Sequence, residues 1–283
     1  MKTKIEMEMG LLKEFKNFAK KQKTASKIFP KHFIEIMRKN RGICGYLCRE
    51  GTDENGLERR NPLVVILGDS VTAGHFEQSE AARKAYEETP QFDIKELTVS
   101  ADVIDIYESY PEIFKRKLVE KFEETSVNVV NAGIAGDTLV GMSRRLERDV
   151  ISFQPDLVII NGSLNWSPEN GTTEEYYHIL REMVKEIRNN TKADIILMTP
   201  NMMDSVLYKE FLGAEDTLEE RVDMIRKVAE QEKVCLADTY SIWKQFTNQG
   251  HQVGEMLANG MNHPTKGGHE IFADELMKLF RNQ

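Results

Sequence analysis

Five short apolar segments alternate with longer stretches of helical periodicity, and this alternation constrains the fold of the chain more than any other feature. The segments are rich in β-branched residues and too short to cross a membrane, which is typical of strands buried on both faces of a sheet. They lie at residues 63–67, 127–130, 157–160, 195–198 and 234–237. Repeated strand–helix units predict a parallel sheet with right-handed crossovers and helices on both faces. We therefore expect an α/β fold, a three-layer α/β/α sandwich with a five-stranded parallel sheet.

The helices between these segments are predicted from apolar stripes and from capping residues. Ser109 and Glu112 have the spacing of a capping box, in which each side chain would accept from the main chain of the other residue. The stripe that follows consists of Phe114, Leu118 and Phe122, which share one face of a helix. The pattern therefore predicts a capped helix that begins just after Ser109.

Residues 1–62 differ from the rest of the chain in charge. Residues 1–43 carry twelve Lys and Arg against four Asp and Glu, a net charge of +8, whereas the whole chain carries −8. This segment contains two predicted helices, at about 9–22 and 31–40, and it ends in a polar linker that contains glycine. We expect a basic helical N-terminal extension with its linker at 1–62, followed by the main domain at 63–283.

The basic extension also carries an apolar stripe, which needs a surface to cover it. The stripe consists of Leu11, Leu12, Phe15, Phe18 and Ala19. We favour two covering surfaces, the acidic part of the same chain or a second copy, so that a homo-oligomer formed through this extension is one prediction. Binding to a membrane surface or to nucleic acid is the alternative that we disfavour, because charge runs usually remain solvated.

Composition restricts the class of protein further. No stretch approaches the roughly 18 apolar residues of a membrane helix, and the N-terminus lacks the apolar core of a secretory signal. The three cysteines (Cys44, Cys48 and Cys235) are too few for a disulfide framework, and Cys44 and Cys48 have no matching Cys or His pair that would complete a metal site. We therefore predict a cytoplasmic protein with no membrane span, no bound metal and no nucleic-acid partner.

Four polar blocks follow predicted strands or precede the predicted C-terminal helix, and each contains a residue type used in acyl transfer. The blocks are Gly68-Asp69-Ser70, Asn131 to Thr138, Asn161 to Trp166 and Asn259 to Pro264. The ordered serine, glycine, asparagine and histidine resemble the SGNH hydrolases, also called the GDSL esterase/lipase family, over residues 63–280. The resemblance implies the flavodoxin-like SGNH fold and a serine hydrolase that uses neither a metal nor an organic cofactor.

The resemblance also implies one role for each block. Ser70 would be the nucleophile and His263 the general base, while Ser70, the Gly136 N–H and the Asn165 side-chain amide would form the oxyanion hole. Each residue has a simpler interpretation, as a helix N-cap, a tight turn or an Asx-turn. We favour the catalytic interpretation because the blocks occur together and in order. The chain has no G-x-S-x-G sequence, which argues against an α/β-hydrolase nucleophile elbow.

The last block departs from the Asp-x-x-His that is usual in the family. Gly260 lies three residues before His263 and Asn259 lies four before, and neither side chain can carry a negative charge. We favour a Ser–His dyad whose imidazole is oriented by a carbonyl. Asn259 as an amide orienter and a carboxylate from elsewhere, such as Glu255, are the alternatives. With a neutral acceptor, His263 would lack the raised pKa that an adjacent carboxylate gives.

Residues 76–108 separate Ser70 from the next predicted helix and contain nine acidic and three basic residues. We interpret them as an insertion near the mouth of the active site, where loops often determine substrate choice. From the resemblance we predict a serine esterase for a small-molecule acyl ester, with O-acetyl groups on carbohydrate as one substrate class. A non-catalytic binding protein of the same fold, a thioesterase and a lysophospholipase are the alternatives.

Overall fold

The computed structural model describes residues 4–39, 61–89, 91, 96–123, 125–212 and 216–280. Cys44, Cys48, residue 40 of the second predicted helix and residues 50–60 of the predicted linker lie outside the described residues. Within the described ranges, no helix combines the length and the apolar character that crossing a membrane requires. In the same ranges, no three His, Cys, Asp or Glu side chains are grouped so that they could hold a metal ion.

The described part of the chain contains seven strands and twelve α-helices. The strands are β1 (Leu63–Gly68), β2 (His75–Gln78), β3 (Asp102–Ile104), β4 (Asn128–Gly133), β5 (Leu157–Asn161), β6 (Asp194–Met198) and β7 (Cys235–Ala237). The first helices are α1 (Lys4–Lys21), α2 (Lys31–Lys39), α3 (Ser70–Ala73), α4 (Glu80–Glu88), α5 (Tyr110–Lys121) and α6 (Leu139–Arg144). The remaining helices are α7 (Leu146–Asp149), α8 (Thr173–Asn190), α9 (Ser205–Leu212), α10 (Leu218–Gln231), α11 (Thr239–Thr247) and α12 (Lys266–Lys278).

Five of the strands form a parallel sheet in the order β4-β1-β5-β6-β7. β1 lies between β4 and β5, so that Gly68 at its carboxyl end is opposite Gly133 on one side and Asn161 on the other. This is the 2-1-3-4-5 order of flavodoxin-like folds, which bind ligands at the carboxyl ends of the strands where the order reverses, between β1 and β5. The predicted fold class is confirmed.

Apolar side chains on the two faces of the sheet form two cores. Val64 and Ile66 of β1 belong to one core, and Val65 and Leu67 belong to the other, as the two-residue period of a strand requires. Helices α2, α5 and α12 cover the first face, while α6, α7, α8 and α10 cover the second. Because both faces are covered, an uninterrupted apolar run is favoured in β1 over alternating polar and apolar residues.

The basic N-terminal helix α1 packs on α11 and α12 of the same chain. The Phe15 ring stacks on Phe246, with ring centroids 4.4 Å apart, and meets Trp243 edge-on at 5.2 Å. Phe15 and Ala19 are buried, and Lys16 forms an ion pair with Glu270 of α12. Of the two covering surfaces expected for the apolar stripe, the structure therefore shows the one on the same chain.

Two local expectations for the segment after β1 are corrected by the structure. A helix begins at Ser70 itself rather than only after residue 108, because the Asp69 carboxylate caps α3 by accepting from the Val71 N–H at 3.0 Å. The predicted insertion at residues 76–108, together with His75, contains the antiparallel hairpin β2–β3 and helix α4. The predicted capping box at Ser109 does not form, since the Ser109 hydroxyl donates instead to the Ile106 carbonyl at 2.6 Å.

Candidate active site

Ser70 is the first residue of α3, immediately beyond the carboxyl end of β1. The turn from strand to helix is tight, and a Cβ at Gly68 would lie 1.9 Å from the Thr72 hydroxyl and 2.7 Å from the Asn161 carbonyl. Only glycine fits at this position without displacing β5. The serine therefore stands at the edge of the sheet where the strand order reverses, and its side chain is almost fully buried.

The structure brings Ser70 and His263 together. His263 Nε2 lies 3.1 Å from Ser70 Oγ, although the two residues are 193 positions apart in the sequence. The loop that presents His263 is folded around Asn259, whose side-chain oxygen accepts from three successive main-chain N–H groups, those of Met261, Asn262 and His263, at 2.9–3.0 Å. Nucleophile and base are thus within hydrogen-bond distance, as an activated serine requires.

The other imidazole nitrogen identifies the group that orients the ring. His263 Nδ1 lies 2.9 Å from the Phe76 carbonyl oxygen on β2. A carbonyl only accepts, so Nδ1 carries the proton and Nε2 is left to accept from the Ser70 hydroxyl. Asn259 contacts the main chain of His263 and not its ring, and the Glu255 carboxylate accepts from the Gln252 N–H. The geometry therefore agrees with the carbonyl-oriented dyad and not with Asn259 or Glu255 as orienter.

The charges around the dyad follow from its burial. Burial lowers the pKa of His263 below its ordinary value, because the imidazolium would be poorly solvated. The negative charge of Asp102 and the Phe76 carbonyl oppose this effect without overcoming it. Burial also raises the pKa of the Asp69 carboxyl to about 7. His263 is consequently held in the neutral form that a general base needs.

Gly136 and Asn165 lie beside each other at the ends of the strands that flank β1. Gly136 has a left-handed backbone with φ of +71°, and a Cβ added there would have no atom within 4 Å, so the space next to it is open. The Asn165 amide donates to the carbonyl of Asp137, the residue after Gly136, at 3.0 Å. An amide nitrogen has two hydrogens, so one such bond leaves the second N–H for another acceptor.

A buried arginine that was not apparent from the sequence ties these segments together. Arg145 donates to the Asp137 carboxylate at 2.7 Å, to the Ala132 carbonyl at 2.8 Å and to the Gly68 carbonyl at 3.0 Å. It thereby fixes the end of β1, the end of β4 and the turn after Gly136 relative to one another. Arg145 lies between α6 and α7. An arginine is mostly expected on the surface, which is why the pattern alone did not single it out.

A cavity of about 700 Å³ lies one loop away from the dyad and is lined in part by Met202, Met203 and Tyr240. Its wall is joined to the histidine loop, since Asn201 donates to the Asn262 carbonyl at 2.8 Å. Neither Ser70 nor His263 lines this cavity. The hydrogen-bonded pair of Ser70 and His263, and not this cavity, therefore marks the reactive site.

A family model described as the GDSL-like lipase/acylhydrolase family matches residues 66–271, well over half of the chain. The chain belongs to this family. The match confirms the predicted family and the predicted class of enzyme, a carboxylic ester hydrolase that acts on a small-molecule ester. The catalytic roles of individual residues in this GDSL-like acylhydrolase are proposals.

Individual relatives agree with the family assignment. An acetylxylan esterase from Geobacillus stearothermophilus is 28% identical over 167 residues, which is 56% of this chain and 74% of that protein. Among solved structures, the acetylxylan esterase Axe2 from the same organism aligns with a TM-score of 0.57 at 22% identity, over 83% of this chain and 97% of the other. A lipase/acylhydrolase from Enterococcus faecalis gives 0.55 at 22% identity, over 77% and 95%. These structural alignments show that the GDSL-like acylhydrolase shares their fold.

Proposed function

We propose that this acylhydrolase is a serine esterase that removes acetyl groups from carbohydrate, with Ser70 as nucleophile and His263 as general base. The observation that carries the proposal is the 3.1 Å contact between His263 Nε2 and Ser70 Oγ. A binding protein that kept this fold but had lost the chemistry would have no need of a buried, hydrogen-bonded serine and histidine in this arrangement. The dyad therefore favours catalysis over binding alone.

The proposed reaction has two steps. Ser70 Oγ attacks the ester carbonyl carbon while its proton moves to His263 Nε2, and the negative charge on the carbonyl oxygen is stabilised by the N–H groups of Ser70 and Gly136 and by the Asn165 amide. The bond to the alcohol oxygen then breaks, and His263 gives the proton to that oxygen. Water then attacks the acyl-enzyme carbonyl carbon while its proton moves to His263. The bond from that carbon to Ser70 Oγ breaks as His263 returns the proton to the serine, which releases the acid.

A short acyl group is supported by the exposure of the dyad and by the curated relative. Ser70 and His263 are only 5% and 6% exposed, so the approach to the nucleophile is narrow. The relative that is 28% identical is an acetylxylan esterase. Lysophospholipids, one of the other substrate classes predicted from the resemblance, carry a long acyl chain. Thioesters, the other class, differ in their sulfur leaving group.

Three further expectations from the sequence stay proposals. They are the division into residues 1–62 and 63–283, a cytoplasmic location, and a homo-oligomer formed through the N-terminal extension. The contact of Phe15 with Trp243 and Phe246 gives the extension a role within one copy of the chain, so the oligomer has less support than the sequence alone gave it.

The proposed function is tested with a panel of acetyl, butyryl and octanoyl esters, acetylated xylo-oligosaccharide, an acyl thioester and a lysophospholipid. We expect hydrolysis to decline with acyl length and the acetylated oligosaccharide to be a substrate. The Ser70→Ala variant should lose roughly 10³-fold or more in kcat/KM, while Ser152→Ala, an exposed serine outside the site, should match the wild type. A folded wild-type protein that hydrolyses none of these compounds, or activity that survives in Ser70→Ala, would refute the proposal.

A further inference from the structure

A second histidine and a carboxylate lie beside the dyad, on the hairpin formed by β2 and β3. His75 Nδ1 is 2.9 Å from the Asp102 carboxylate, and the His75 and His263 ring centroids are 5.9 Å apart at an angle of 66°. The His75 and Asp102 side chains are only 12% and 22% exposed, so water screens the pair incompletely. His75 lies outside the four polar blocks that the sequence singles out.

The hairpin holds this pair and the dyad in one rigid unit. His75 is followed directly by Phe76, whose carbonyl accepts from His263 Nδ1 at 2.9 Å, and β2 pairs with β3, which carries Asp102. The pairing of β2 with β3 and the bond from His263 to the Phe76 carbonyl thus place Asp102 and the His263 ring at the same hairpin. A carboxylate at this place faces the base through the His75 ring rather than through a direct hydrogen bond.

A positive charge forms on His263 during acylation, and the His75–Asp102 pair lies beside it. When His263 takes the Ser70 proton, it becomes an imidazolium whose hydrogen-bond acceptor, the Phe76 carbonyl, carries no net charge. His75 Nδ1 lies 2.9 Å from the Asp102 carboxylate, and when the imidazole donates to it as a neutral ring the pair has one net negative charge beside that imidazolium. An opposite charge at short range in a poorly solvated site stabilises the charged form of its neighbour.

We propose that Asp102, held in place by His75, supplies the negative charge that stabilises the His263 imidazolium. The β2–β3 hairpin then does the work of the family's usual aspartate, whose expected positions three and four residues before His263 hold Gly260 and Asn259. The inference rests on the proposed function and deepens it. Asp102 and His75 are positioning residues, since they act on the reaction through His263. Asp102 thereby acts on catalysis from within the insertion at residues 76–108 without touching the substrate.

Other titratable groups near His263 do not supply this charge. His75 from β2 and His269 from α12 cannot carry a negative charge, and a proton on either ring would oppose protonation of His263. On α12, Lys266 is engaged by Asp105 at 3.0 Å. Asp69, the N-cap of α3, has a pKa raised to about 7 by burial and is therefore a poor source of permanent charge. Asp102 is the carboxylate whose charge raises the pKa of His263.

The test measures the pKa of His263 directly, by NMR titration of ring-labelled histidines, with a His263→Gln variant used to assign its signal. Asp102→Asn should lower the His263 pKa by about one pH unit, and Asp102→Glu should restore most of it. Asp102→Thr is a second neutral variant with a strand-forming residue, which keeps the test open if the asparagine variant folds poorly. Glu77→Gln removes the same charge from an exposed position on the same hairpin and should leave the His263 pKa unchanged.

Kinetics on the acetyl ester provide the second readout. In Asp102→Asn, kcat should fall about tenfold with little change in KM, because the charge acts on the transition state, and the acid limb of kcat/KM should move to lower pH. If the neutral variants are less thermostable but His263 titrates as in the wild type, Asp102 only braces the hairpin and the proposal is overturned. If the His263 pKa depends on Asp102 but the protein hydrolyses no ester, the proposed function is refuted, while the electrostatic interaction between Asp102 and His263 is supported.

Discussion

At the residue scale, the reactivity of Ser70 depends on hydrogen bonds to main-chain carbonyls as well as on side chains. His263 is oriented by the Phe76 carbonyl, and Arg145 anchors the Gly68 carbonyl just before the nucleophile. Both contacts fix the position of a reactive group without placing a charge directly on it. Stabilisation of charge during the reaction is left to the oxyanion donors and to carboxylates farther away.

The role of Asn165 as an oxyanion donor is a prediction at this scale. Its amide donates one hydrogen to the Asp137 carbonyl, and the second is free for a developing oxyanion. We expect Asn165→Ala to lower kcat by roughly 10²–10³ with little change in KM, because such a donor acts chiefly in the transition state. Steady-state kinetics on an acetyl ester measure both constants, and Asn190→Ala on exposed helix surface is the control. An unaltered kcat would mean that Asn165 only shapes its loop.

At the element scale, α5 and α12 are joined by a contact that replaces an ordinary helix cap. The Ser109 side chain makes no capping bond, and the Tyr110 N–H at the start of α5 donates instead to Nδ1 of His269 on α12, at 3.1 Å. His269 is fully buried, and its pKa is lowered to about 3 by burial. The helix that follows the His263 loop is therefore fastened to the helix that follows the β2–β3 insertion.

This contact predicts how stability depends on pH. Because the folded pKa of His269 is about 3 and the unfolded value is near 6.5, the unfolded chain binds the proton first, and stability falls as the pH drops from about 6.5 towards 3. The loss from this group between pH 7 and pH 4 is roughly 3 kcal/mol. Burial of His263 acts in the same direction and adds to the loss.

His269→Phe should separate the two effects of this residue. At pH 7 we expect the variant to be less stable by about 1 kcal/mol, since the Tyr110 N–H loses its acceptor while the aromatic packing is retained. The decline in stability between pH 7 and pH 4 should be smaller than in the wild type, as shown by urea unfolding at both values. His178→Gln, an exposed histidine, is the control. An identical pH dependence in His269→Phe would contradict the assignment.

At the scale of the whole molecule, the basic N-terminal helix is part of the folded structure. Phe15, Trp243 and Phe246 form an aromatic cluster that connects α1 to α11, and Leu12 packs so closely on Gly267 that a Cβ there would lie 1.6 Å from it. The opposite charges of the two parts add ion pairs such as that of Lys16 with Glu270. Such surface pairs contribute little, so apolar burial is what holds α1 in place.

Phe15→Ala tests this conclusion. Removal of a ring that is 1% exposed should lower the free energy of unfolding by about 3–5 kcal/mol, through lost burial and the cavity that remains. Chemical denaturation followed by tryptophan fluorescence measures the loss, and Lys13→Ala on the exposed side of α1 is the control. A variant in which the main transition is unchanged would instead show that α1 unfolds independently, as a separate unit at residues 1–62 would.

The sequence by itself determined the features that depend on local pattern. The apolar runs identified the five strands of the sheet, although β4 extends three residues beyond its predicted end, through Gly133. The block order identified the family and the pairing of Ser70 with His263. These features could be predicted because side-chain periodicity and turn chemistry are written in adjacent residues.

Only the tertiary structure decided which groups complete the site. The Phe76 carbonyl that orients His263 is 187 positions away from it, and a main-chain oxygen has no signature in the sequence. The contacts of His75 with Asp102, of Arg145 with the ends of β1 and β4, and of His269 with α5 likewise join separate elements. Which residues meet in these contacts depends on how the crossovers bring strand ends and helices together. That arrangement is a property of the whole packed chain.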